Sequence, residues 1–205
     1  MKNALRANYA ALTLALLAAS TVAAADTLSD AERNEGLAQL GRTRTAVVEA
    51  TKGLSEAQWK YKPAPDRWSV AEVVEHMAIV EEFLLKNTAE KVMQAPAGNP
   101  DRDNKSTDKF VLTAVSDRSQ KVQAPEPVVP TGRWTHRESL EQFLKARQRT
   151  EEFLKSTTGL RDHVVDSPLG RPLDAYQWVL YISAHTERHT KQLLEVKGHP
   201  DFPKM

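Results

Sequence analysis

All 11 prolines of this 205-residue chain lie outside four stretches, 30–52, 70–93, 136–156 and 175–197, in which apolar residues recur at helical spacing. A proline inside any of them would remove a backbone hydrogen bond and clash with the preceding turn, so the spacing predicts four uninterrupted helices. Their starts are marked as sharply. Ser29-x-x-Glu32, Ser69-x-x-Glu72 and Thr135-x-x-Glu138 are capping boxes, in which hydroxyl and carboxylate reciprocally satisfy orphan backbone N–H groups, and Asp174-x-x-Gln177 is a looser version. The ends fall near Gly53, Pro96, Gly159 and Gly198. Each helix carries one apolar face: Leu37/Leu40/Val47/Val48, Val70/Val73/Val74/Met77/Leu84, Leu140/Phe143/Leu144/Leu154 and Val179/Ile182/Leu193/Val196. No segment alternates strongly enough to require a sheet, so the predicted class is all-α, a four-helix bundle.

The connections are unequal. Between the first two helices a short segment containing Trp59, Pro63, Pro65 and Trp68 suits antiparallel neighbours. The second and third are separated by residues 94–134, long enough to cross the full length of a bundle, which leaves these two helices free to run parallel. A short helix at 107–117 fits inside that crossover.

Residues 1–25 read as a secretory signal peptide. Lys2 and Arg6 lead into the apolar run 10–19, and Val22-Ala23-Ala24-Ala25 offers a small-residue cleavage site before Asp26. The run is too short for a membrane span. The expected mature unit is therefore one bundle domain, 26–205, with no stable membrane insertion, exported across the inner membrane to the periplasm of a Gram-negative cell. Without Lys2 and Arg6 it carries 26 basic and 27 acidic residues, a net charge of −1, which gives no reason to expect nucleic acid as a partner. A small-molecule substrate and a homodimer are both compatible with it. The absence of cysteine excludes disulfides, cysteine-ligated zinc and a catalytic thiol.

Histidines carry the functional signal. His185 and His189, four apart, stack on one helix face, and that face is the apolar stripe of Trp178, Val179, Ile182, Leu193 and Val196. His76 lies at the edge of the second helix's stripe, roughly 10 Å along the axis from its N-cap, and His189 lies roughly 13 Å from the end of the fourth helix. If these helices are antiparallel, the three imidazoles reach one level and can ligate one divalent ion. His136, His163 and His199 read as surface residues. Glu81, Arg147, Glu151 and Arg44 face inward by helical phase, as supporting partners or substrate clamps, or as a salt-bridged polar end of the bundle. Tyr61, Trp59, Trp68, Trp134 and Trp178 read first as packing and second as pocket walls.

Other metal motifs fit poorly. In His185-Thr186-Glu187-Arg188-His189 the glutamate does not adjoin the first histidine as a zincin's base must and is turned away from both ligands. Glu72 and Glu75 beside His76 do not supply the carboxylates of a di-iron bundle.

Arg67-Trp68-Ser69-Val70-Ala71-Glu72-Val73-Val74-Glu75-His76, the segment Pro130-Thr131-Gly132-Arg133-Trp134, and Leu173-Asp174-Ala175-Tyr176-Gln177-Trp178 followed by His185-x-x-x-His189-x-x-Gln192-Leu193 together resemble the DinB-like metal-binding four-helix bundles. The resemblance spans the mature chain. It implies the crossover between the second and third helices and a divalent ion, commonly zinc or nickel, at His76, His185 and His189. Characterised members of that family include thiol-dependent transferases and isomerases. Three neutral imidazoles leave an ion an open position, as in catalytic sites. The expectation is thus a metal-dependent enzyme, hydrolase or thiol transferase, with its catalytic base unknown; the alternative is a non-catalytic metal-binding or stress-associated bundle.

Overall fold

The structure, a computed structural model, describes residues 28–204. The expected signal peptide and its cleavage site lie outside the described residues. Among these residues six α-helices form: α1 (Asp30–Thr51), α2 (Glu56–Lys60), α3 (Val70–Glu90), α4 (Asn104–Ser116), α5 (His136–Ser156) and α6 (Ala175–Lys197). α1, α3, α5 and α6 are the four predicted helices, and all four predicted caps close as reciprocal boxes. A fifth box, Ser55 with Gln58, starts the single-turn α2, which the apolar spacing is too short to reveal. α3 ends before the predicted 93, its chain tightening into a 3-10 turn at Val92–Gln94. Among the described residues no helix is long and apolar enough to cross a membrane.

One expectation needs correction. α1 and α3 are not side-by-side neighbours but face each other diagonally; around the bundle the order is α1, α6, α3, α5. α1 and α6 run parallel, since Thr43 Oγ1 meets Ser183 Oγ at 3.2 Å and Lys197 donates to the Ala50 carbonyl at 2.6 Å, both partners advancing together. α1 and α5 run antiparallel, because Arg33 donates to the Leu154 carbonyl and Arg147 to that of Leu40. α3 and α6 are antiparallel: Val70 and Val73 pack in one cluster with Leu193 and Val196, and Val80 and Leu84 in another with Val179 and Ile182. The connection through α2 folds Trp59 into the core and is long enough to carry the chain across the diagonal. The predicted crossover is present, with α4 running parallel to α6 along its outer side: Asp108 meets Gln177 near their starts, and Ser116 meets Lys191 toward their ends. That return delivers α5 parallel to α3.

The all-α class holds, with one short hairpin added among the described residues. β1 (Val164–Asp166) and β2 (Pro172–Asp174) pair antiparallel, Val164 opposite Asp174. Three residues are too few for alternation to register in a sequence. The hairpin delivers Asp174 as the N-cap of α6.

The core is in two parts. Leu40, Val80, Leu84, Leu154 and Val179 belong to one cluster, and Val47, Val70, Met77, Phe143 and Leu193 to the other. Between them along the helices lies a polar layer centred on Arg147, which is 0 % exposed. Its Nε and Nη2 donate to the Glu81 carboxylate at 2.6 and 2.9 Å, its Nη1 to the Leu40 carbonyl and Thr43 Oγ1, and its Nη2 also to Thr186 Oγ1. All five guanidinium N–H groups are thereby used, and one side chain ties all four bundle helices. Of the polar residues foreseen at a bundle end, Glu81 and Arg147 instead form this buried middle layer. Arg44 and Glu151 are apart from it, paired at 2.9 Å between α1 and α5 with Arg44 half-buried.

Candidate metal centre

The capping box at Ser69 fixes the phase of α3 and so the direction of His76, 3 % exposed, while the Asp174 cap does the same for His185 and His189 on α6. Because α3 and α6 are antiparallel neighbours, the three imidazoles meet. Ring centroids lie 5.2 Å apart for His76 and His185, 4.6 Å for His76 and His189, and 4.4 Å for His185 and His189. One ligand nitrogen from each falls within 4.8 Å of the others, close enough for one ion to be shared. Trp68, just before the Ser69 cap, walls the cluster with its ring 4.7 Å from His76 and 6.4 Å from His189. Of the tryptophans singled out, only this one stacks on the imidazoles. Trp59 stacks on His136, and Trp178 packs on Tyr181.

Two of the outer nitrogens are held in a way that frees the inner ones. His76 Nδ1 lies 2.7 Å from the Val128 carbonyl, which can only accept, so Nδ1 carries the proton and Nε2 keeps its lone pair. His189 Nδ1 pairs with Gln192 Oε1 at 2.9 Å, an oxygen oriented by Arg118 Nη1 at 3.4 Å. His185 is the half-buried member. Burial is the first cause lowering all three imidazoles from the ordinary histidine value; mutual repulsion lowers His185 further and helps bring His189 to about 3. Histidines that remain neutral near pH 7 are in the form a metal requires.

The remaining candidates fall elsewhere. Glu187 pairs with Lys191 at 2.8 Å on the solvent side of α6, and Glu72 is occupied by its cap and by Lys62. Glu81 belongs to the Arg147 layer. His136, His163 and His199 are half-buried rather than fully at the surface and stay outside the cluster; His199 Nδ1 accepts from the Tyr61 hydroxyl at 2.5 Å. No carboxylate of the described residues hydrogen-bonds the three imidazoles. Sequence reasoning assigned no role to Val128, Gln192 or Glu75. Gln192 was visible as part of the His-x-x-x-His-x-x-Gln run, but a backbone carbonyl contributed by a residue far along the chain leaves no side-chain signature.

Comparison with known proteins agrees with this architecture. YfiT from Bacillus subtilis, described as a probable metal-dependent hydrolase with an unusual four-helix bundle topology, superposes with a TM-score of 0.54 at 15 % identity, over 84 % of this chain and 90 % of that one. The uncharacterized protein YuaE of Bacillus subtilis (strain 168) is 26 % identical over 150 residues, 71 % of this chain and 87 % of YuaE. A sequence profile of the DinB superfamily matches residues 39–193, a span that starts within α1 and takes in all three histidines, and the chain belongs to that superfamily.

Proposed function

We propose that the protein is an exported metal-dependent enzyme acting on a small molecule, a hydrolase before a thiol-dependent transferase, with His76, His185 and His189 holding one divalent ion, zinc or nickel. The observation that carries this reading is a cluster of three buried or half-buried imidazoles, lowered from the usual histidine range, with no fourth protein ligand among the described residues. Such a donor set suits zinc and nickel, and an ion with open coordination supplies Lewis acidity toward a carbonyl or a water. The chain's own contribution is orientation: Val128 and Gln192 fix two ring tautomers, and Trp68 covers one side of the rings. The description of YfiT as a probable metal-dependent hydrolase favours hydrolysis. Transfer would need an external thiol, because the chain has no cysteine.

Metal analysis of untagged protein tests the site, and each single His→Ala change should remove most of the ion; full occupancy in His76→Ala would show the triad to be wrong. Metal-loaded protein is then assayed on esters, amides and lactones with and without glutathione, using His185→Ala as the blank. Turnover without thiol supports the hydrolase and turnover that requires thiol supports the transferase. No metal-dependent turnover leaves a non-catalytic metal-binding protein. Export predicts a mature chain beginning near Asp26, and intact Met1-containing chain in the cytoplasm would reject it.

A further inference from the structure

We propose that the end of the crossover, residues 117–133, is a strap that assembles the metal site, and that Glu75, which bonds none of the imidazoles, is the positioning residue that docks it. The inference rests on the metal reading above. Glu75 follows from no helix rule: it is an acid whose side chain is only 3 % exposed, at a buried position of α3. Its partners are almost all backbone. Oε1 accepts from the amides of Thr131 at 2.9 Å and Arg133 at 3.3 Å, Oε2 accepts from that of Gly132 at 2.9 Å, and Arg133 Nε lies 3.5 Å away. Three successive amides converge on one carboxylate because the middle residue takes a left-handed conformation, Gly132 at φ +70°. A Cβ there would meet nothing, so glycine serves the backbone angle and not the space.

The clasp lies three residues beyond the carbonyl that matters. Val128, buried at 5 %, offers that carbonyl to His76, the residue next to Glu75 on α3. The strap's other end is tied to α6. Arg118 binds Glu195 at 2.6 and 2.7 Å and reaches Gln192, which holds His189, and Arg188 donates to the Gln120 carbonyl at 2.6 Å. Two of the three histidines thus have their outer nitrogens set by the strap or by a side chain it orients. Residues 121–123 between the ties are exposed, Val122 at 76 %. Docking the strap and presenting the ligands are therefore coupled, and coupling between two equilibria is reciprocal.

The test compares wild type, Glu75→Gln and Gly132→Ala. The first replaces an acceptor of three amides by a group that is half donor, and the second disturbs the clasp from the strap side without touching α3. Both should weaken zinc binding ten- to a hundred-fold, the range for loss of outer support to a ligand, and should change the visible spectrum of bound cobalt(II) while leaving the metal-free helix content unchanged. In wild type, zinc should slow hydrogen exchange at the amides of Thr131, Gly132 and Arg133 by a comparable factor. If Glu75→Gln does not fold, Gly132→Ala decides the question. Folded variants with wild-type zinc affinity and cobalt spectrum, or zinc that leaves those three amides unchanged, would overturn the proposal. Failure of wild type to bind either metal would overturn the metal assignment itself, a result distinguishable from tight binding indifferent to the clasp.

Discussion

Replacing Arg147 by methionine should destabilise the protein by about 3–5 kcal/mol, because it strips a buried carboxylate of its partner. Glu81 is 2 % exposed and would keep only the Thr150 hydroxyl at 3.1 Å after losing bonds of 2.6 and 2.9 Å to the guanidinium. The loss is specific to that charge. Leu40 is left inside α1, where helical carbonyls have their own ladder partners; Thr43 retains a contact with Ser183 at 3.2 Å, and Thr186 retains the Ile182 carbonyl at 3.1 Å. Removing both charges, as Glu81→Leu with Arg147→Met, should therefore cost much less than either single change, on the order of 1–2 kcal/mol, since no buried ion is left unpaired. Urea unfolding followed by circular dichroism gives the three free energies, with similar m-values showing that the variants unfold as the parent does. The coupling should also persist at high salt, because a pair this buried is little screened. A single Arg147→Met change costing under about 1 kcal/mol, or a double variant as unstable as the sum of the singles, would refute the account of the polar layer.

The pH dependence follows from the histidines. Their folded-state values are lowered, His189 to about 3, so the unfolded chain takes up protons that the folded chain refuses once pH falls below the ordinary value of 6.5. The stability of the metal-free protein should be full above about pH 6.5 and should fall as the solution is acidified toward pH 4, by up to about 1.4 kcal/mol per pH unit for each histidine kept neutral; a flat melting profile across that range would contradict the burial argument. Gly36→Val places a Cβ 2.9 Å from the Tyr176 ring and 3.0 Å from Leu154, so thermal denaturation should show a loss of about 1–3 kcal/mol. Arg161 is held by Glu32, Asp108 and Asp174 near the start of α6, at the far end of the bundle from the histidines. Arg161→Met should cost about 3–5 kcal/mol in urea unfolding yet leave the zinc affinity of the folded fraction unchanged.

Four helix starts and their lengths to within a few residues were present in the order of residues, because each is decided by contacts no more than a few positions away, and room for the crossover was present in the length of 94–134. A capping box needs Ser69 and Glu72 only, and His185 with His189 share a face by the pitch of the helix alone. Helical phase assigns a residue a direction and leaves its neighbour undetermined. That is why Glu81 and Arg147 could be seen to face inward while the middle layer they form could not, and why α1 and α3 looked like neighbours when burial of all four apolar faces sets them across a diagonal. The meeting of His76 with the α6 pair depended on a helix direction that only packing chose. The tertiary structure alone supplied Glu75 its amides and His76 its carbonyl, since backbone groups are the same in every residue and become specific only when the chain folds back to bring them there.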